Sequence, residues 1–178
     1  MDNHWKALFG SWDGAIGTLL SAIASTPASK LNATLQKHLD VLGNVMQATG
    51  SALASDSEKE LTLNKIGNQV QAIGNTSVIS GIITPWNEET TKKITIQRNL
   101  FQAVGSSMAL PGLLDTKEMY LDTLYDIYGA LLQAIGNALQ GLSVIMELQG
   151  KRGENIDFAG SWIQTIGAFI QALVQSKS

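Results

Sequence analysis

The chain has 178 residues, enough to bury a core within one domain, and its 44% hydrophobic content excludes a disordered chain. Only 15% of residues are charged, with a net charge of -3, so the basic face that nucleic acid would require is missing. No cysteine is present, which excludes a disulfide scaffold, a thiolate metal site and a cysteine nucleophile.

Six helices are predicted, within one domain spanning 1–178. The first covers Asn3 to Ala24 and is stopped by STPAS, with Pro27. Its GAIGTLLSAIA stretch resembles the apolar part of a leader. Asp13 adjoins that stretch, however, and the preceding segment carries Asp2 and a single Lys. A leader wants a basic start and an uncharged core, so the expectation is a cytoplasmic protein. The second helix runs from about Lys30 to Ala54, with Leu31, Leu35, Leu39 and Leu42 at helical spacing. SDSEKE then offers Asp56 or Ser57 as an N-cap, and the third helix runs from Glu58 to about Ile83. Thr84-Pro85-Trp86-Asn87 breaks it. The fourth spans Glu88 to near Leu110, before Pro111-Gly112; inside it, KKITIQ alone alternates like a strand. The fifth runs from Asp115 to about Gln149, ended by Gly150 and Gly153, and the sixth from Asn155 to Gln175. Charges gather in the joints, at DSEKE, NEETTKK, DTKE and KRGE.

One unit, Gly-x-x-x-Gln-x-x-Gly, recurs along these helices. Its full copies are GNVMQATG (Gly43, Gln47, Gly50), GNQVQAIG (Gly67, Gln71, Gly74), GALLQAIG (Gly129, Gln133, Gly136) and GSWIQTIG (Gly160, Gln164, Gly167). RNLFQAVG keeps Gln102 and Gly105 but has Arg98 in place of the first Gly; GSWDGAIG keeps Gly10 and Gly17 but has Gly14 in place of Gln. Steps of four and three return to one helix face, so these residues form a narrow stripe. Leu131, Leu132, Ile135, Leu139 and Leu142 form a broad apolar stripe beside it, as do Trp162, Ile163, Ile166, Phe169, Ile170 and Leu173.

Each glycine inside a helix costs about 1 kcal/mol against alanine, so the stripe needs a compensating contact. A close backbone crossing supplies one, through dispersion and Cα–H contacts. The stripe residues are therefore assigned to packing, in an all-α bundle of about six antiparallel helices joined by short turns. The glutamines between the glycines must then be bonded to another helix, leaving no Gln-lined pocket. Trp12 and Trp162 share a repeat position and are expected to face the core. Tyr120, Tyr125 and Tyr128 are expected in the core or at its boundary, as is His38.

No chemistry stands out. His4 and His38 are the only histidines, no acidic cluster has metal-ligand spacing, and the paired carboxylates Glu58 with Glu60 and Glu88 with Glu89 suit helix starts. The glycine-rich segments lack the lysine of a phosphate loop. No catalytic residue, cofactor or metal is expected.

The segments GNVMQATGSAL, KIGNQVQAIGN and GALLQAIGNALQ resemble a family of small repetitive proteins of Bacillus-type bacteria, from about Phe9 to Val174. The resemblance implies architecture and no assigned activity. The leading expectation is a non-enzymatic soluble helical protein acting by self-association or by binding a protein partner. One alternative is a membrane-active or membrane-associated helical protein, because 66–87, 127–146 and 158–176 are uncharged and small-xxx-small spacing drives helix association in lipid. Another is a small secreted helical protein of Trp-x-Gly type, from Trp12-Asp13-Gly14; in that class the motif lies at a turn between two helices.

Overall fold

The computed structural model describes residues 2–27, 30–116 and 119–177. It is all-α: α1 (Asn3–Ala24), α2 (Ala33–Ser57), α3 (Leu63–Ile83), α4 (Glu88–Ser107), the short α5 (Leu110–Leu114), α6 (Leu121–Leu148) and α7 (Glu154–Gln175), with no strand among the described residues. KKITIQ lies within α4. Trp12-Asp13-Gly14 lies inside α1, away from any turn.

Three helix starts are fixed by side-chain caps. Asn32 Oδ1 accepts from Leu35 N (2.8 Å), Thr62 Oγ1 from Lys65 N (2.9 Å) and Asn87 Oδ1 from Thr90 N (2.8 Å). The cap of α3 corrects the expectation at Asp56 or Ser57. Both remain in α2, and Glu58, the expected first residue of the third helix, is the α2 C-cap. Its carboxylate instead accepts from Thr62 Oγ1 and Asn64 Nδ2, which holds the cap that starts α3. Pro111 ends α4 early and opens α5, since it has no amide to continue the ladder. The fifth predicted helix starts at Leu121 instead of Asp115; residues 117 and 118 of that joint, and 28 and 29 of the STPAS stop, lie outside the described residues. Gly150, at φ 73°, ends α6 in the left-handed region, where its amide returns to Glu147 O (3.0 Å).

α1 packs on α2, α2 on α3, α3 on α4, α4 on α6, α6 on α7 and α7 back on α1, so the six long helices close a ring. Within it lie three antiparallel hairpins whose glycines face each other in register. A Cβ on Gly17 would lie 2.6 Å from Gly43 O, and one on Gly50 would lie 2.5 Å from Gly10 O. A Cβ on Gly167 would lie 2.6 Å from Gly129 O, one on Gly136 2.6 Å from Gly160 O, and one on Gly67 would strike Gly105 O. Gly74 faces Arg98 more loosely, with Arg98 O at 3.3 Å from its added Cβ. Backbone fills the space side chains would occupy, which offsets the helix-propensity cost of these residues.

What the ring buries is small or polar. Its buried hydrophobic residues are alanines, valines and Ile127, with no buried Leu, Phe, Met or Trp among the described residues. The largest fully buried side chains are Gln102, Asn44, Asn75, Asn99, Asn137 and Ser143. The large apolar residues face outward: Ile135 is 49% exposed, Leu142 45%, Ile166 53% and Leu173 54%. Part of the apolar stripe seen in the sequence, Leu131, Ile135, Leu142, Ile166 and Leu173, is thus the outside of the ring, while Leu132, Leu139, Trp162, Ile163, Phe169 and Ile170 are half-buried between helices. Tyr120, Tyr125, Tyr128 and His38 are also exposed, not in the core or at its boundary, because the inner face is already occupied by glycine and amide side chains.

Candidate functional site

Amide side chains meet at the centre of the ring. Gln164 on α7 donates through Nε2 to Gln102 Oε1 on α4 (2.8 Å) and to Gln47 Oε1 on α2 (3.3 Å). Its Oε1 accepts from Gln140 Nε2 on α6 (2.7 Å). Gln102 passes the chain on to Asn75 on α3, and Gln47 Nε2 donates to Ser21 Oγ on α1 (3.3 Å). One connected network therefore joins all six long helices. Such a network is strong only when complete, because each buried amide left unpaired costs about 1–3 kcal/mol.

Arg98 extends this network. It stands where other copies have glycine; its backbone lies against Gly74 and its side chain is buried. The guanidinium donates to Asn44 Oδ1 (2.8 Å), Asn99 Oδ1 (2.9 Å) and Gln140 Oε1 (3.2 Å). Three neutral oxygens solvate the charge, an arrangement the planar five-donor fork suits. Asn44 is held in turn by donating to Asp40 O (2.7 Å) and Asp40 Oδ1 (2.9 Å).

Two cavities flank the network at opposite ends of the ring. One, of about 560 Å³, is lined by Gln47, Gln71, Gln133, Gln164, Gln171, Asn68 and Asp126, with α5 residues beside it. The other, of about 710 Å³, is lined by Ser21, Asp40, Arg98, Asn99, Gln140 and Asp157. The first corrects the expectation that bonding among the glutamines would leave no Gln-lined pocket. Gln47, Gln102 and Gln164 are buried and bonded across helices, and half-buried Gln133 donates to Gln171 on α7. Half-buried Gln71, by contrast, lines the cavity with no protein hydrogen bond to its side chain among the described residues. Gly14, in place of a glutamine, has open space beside it and widens the same cavity.

The seam between α1 and α7 closes the ring. Trp12 Nε1 donates to Ser176 Oγ (2.9 Å), and Trp162 Nε1 to Thr26 Oγ1 (3.2 Å). Both indoles are half-buried; Trp12 packs with Phe169 on the small cluster of Ala15, Ala168 and Ala172. Charges occupy the rims. Lys6 pairs with Asp56 (2.6 Å) and Lys177 with Asp122 (2.8 Å) at one end, and Lys92 with Glu147 (3.8 Å) at the other. A hydrogen bond to the Asp122 carboxylate holds the Lys177 ammonium above its usual pKa.

The unit read from the sequence omitted half of this centre. Asn44, Asn75, Asn99 and Asn137 each follow the first or last residue of a copy, and all are buried. The recurrent Gly-Asn pair was the available signal. Asn137 Nδ2 donates to Gln133 O (2.9 Å), while its Oδ1 is the one fully enclosed side-chain atom without a partner among the described residues. No group of three His, Asp or Glu side chains able to hold a metal occurs among the described residues. By length and composition alone, α1 and α6 could each cross a membrane.

No curated protein and no solved structure matches the chain. A family model does match, over residues 5–172, and the chain belongs to that family, described as a family of unknown function (DUF6944).

Proposed function

We propose that this chain works by association through its outer apolar surface and catalyses no reaction. The observation that carries this is α6: Tyr125, Tyr128, Leu131, Ile135, Leu142 and Ile145 are all exposed along it, while Gly129, Gly136, Asn137 and Gln140 are buried. A folded monomer rarely leaves so long an apolar line in water without a use for it. Gln47, Gln102, Gln140 and Gln164 are bonded to one another, and recognition is assigned to the outside. In this reading the chain starts in the cytoplasm; a Bacillus-type source is inferred from the repeat segments alone.

Sedimentation velocity of the full chain, with and without mild detergent, tests the proposal. The expected result is concentration-dependent assembly in water or capture by micelles. Both should diminish in the Ile135→Gln, Leu142→Gln double variant at unchanged helix content. A chain that stays monomeric at every concentration and binds no hydrophobic dye would overturn the reading.

A further inference from the structure

We infer that the partner of the outer surface is the hydrocarbon of a lipid bilayer, and that the ring crosses it with its polar centre inside. The inference rests on the association reading and names the partner.

The outer apolar residues are not confined to one side. Ile16 on α1, Val45 on α2, Ile73 on α3, Leu100 on α4, Ile135 on α6 and Ile166 on α7 are all exposed, so the apolar surface encircles the ring. A second copy docking in a typical interface covers only about 800 Å² per partner, on one side. A surrounding solvent of low polarity covers every side.

The dimensions agree. From Tyr125 to Ile145 the outer line of α6 spans 20 residues (145 − 125); at 1.5 Å per residue that is about 30 Å, the thickness of a bilayer's hydrocarbon core. Charge obeys the same limits. Residues 66–87, 127–146 and 158–176 carry none, and Arg98, in the middle of α4, points inward onto amide oxygens. Exposed aromatics mark the two rims, Trp5 and Tyr125 at one and Trp86 and Phe158 at the other, as at membrane interfaces.

The interior meets most of what lipid demands, with Asn137 Oδ1 and the cavity-facing Gln71 as the exceptions among the described residues. Polar groups inside a bilayer must be bonded within the protein, and here one network joins all six long helices. Close glycine crossings are the packing that helices use where no hydrophobic force acts between them. Average hydropathy singles out only α1 and α6, because averaging over a whole helix mixes its lipid side with its amide side. Asp40, Asp126 and Asp157 are half-buried on the two cavities at the ends of the ring, and Asp13 is half-buried within α1 between Gly10 and Gly17.

The test uses the full chain with phosphatidylcholine vesicles containing one third phosphatidylglycerol. The chain has no cysteine, so single spin labels on Ile135→Cys and Gln140→Cys report their own surroundings. The chain is expected to float with the vesicles after an alkaline carbonate wash. The label at 135 should collide with lipid-dissolved oxygen and be shielded from an aqueous nickel complex, and the label at 140 should show far less oxygen access. Circular dichroism of each labelled chain checks the fold. Asp13→Asn should raise the floated fraction several-fold, whereas Ile135→Lys should lower it. A chain that assembles in water but does not float, or whose label at 135 stays open to the nickel complex on vesicles, would overturn the lipid proposal and leave association standing. A chain that neither assembles nor floats would overturn both.

Discussion

Gln164 donates to Gln102 across the centre of the ring at 2.8 Å, joining two helices that are not neighbours in the circle. Gln164 also bonds Gln47 and accepts from Gln140, so its removal strands three buried partners. Gln164→Ala should therefore cost several kcal/mol, at about 1–3 kcal/mol for each amide left unpaired. Gln71→Ala removes a side chain whose stem packs on Gly105 but whose amide only lines a cavity, and should cost no more than about 1 kcal/mol, since no buried partner is stranded. Urea unfolding midpoints compare the two; equal shifts would show that the network carries no special weight.

The glycines divide in the same way. A Cβ on Gly17 meets Gly43 O at 2.6 Å and Gln47 N at 2.9 Å, both backbone atoms, whereas one on Gly14 meets nothing within 4 Å. Gly17→Ala must push α1 off α2, at about 1–3 kcal/mol for overpacking. Gly14→Ala should raise stability by up to about 1 kcal/mol through helix propensity. Thermal melts of both variants read the sign, and a destabilised Gly14→Ala would mean that the wall beside it is closed.

Arg98 offers a test of how a buried cation is held. Arg98→Met keeps much of the volume but leaves Asn44, Asn99 and Gln140 without their donor, for an expected loss of at least 2 kcal/mol by the ~1–3 kcal/mol cost of each stranded group. Arg98→Lys should recover little, since a single ammonium cannot reproduce the planar fork. An unchanged denaturation midpoint for Arg98→Met would show that the three amides find other partners.

At the seam, Trp162→Phe deletes the donor to Thr26 Oγ1. Hydrogen exchange should quicken locally along α1 and α7, by about 1 kcal/mol of protection, with the hairpin of α3 and α4 unaffected. Combining Trp162→Phe with Thr26→Val should cost less than the two changes separately, as a shared bond requires. Full additivity would separate the two residues energetically.

The sequence by itself determined the helices and the contacts inside each hairpin. Glycine at four-and-three spacing permits close approach on one face only, and short joints force consecutive helices to run antiparallel. The glycines of each unit accordingly lie where two helices meet, Gly14 excepted. Local signals fared worse where capping groups competed: Asp56 and Ser57 look like caps, but Glu58 holds Thr62 and moves the start of α3. What only the tertiary structure decided is which stripe faces inward. An apolar stripe beside a stripe of glycines and amides is compatible with either side being the core, because periodicity fixes faces and not directions. Closing six helices into a ring settles it, since the glycine crossings draw the backbones together and bring Gln47, Gln102, Gln140 and Gln164 within reach of one another. The bonds of Gln164 to Gln47 and Gln102 cross between hairpins and exist only once the hairpins have come together, and the same closure turns Ile135, Leu142 and Ile166 outward.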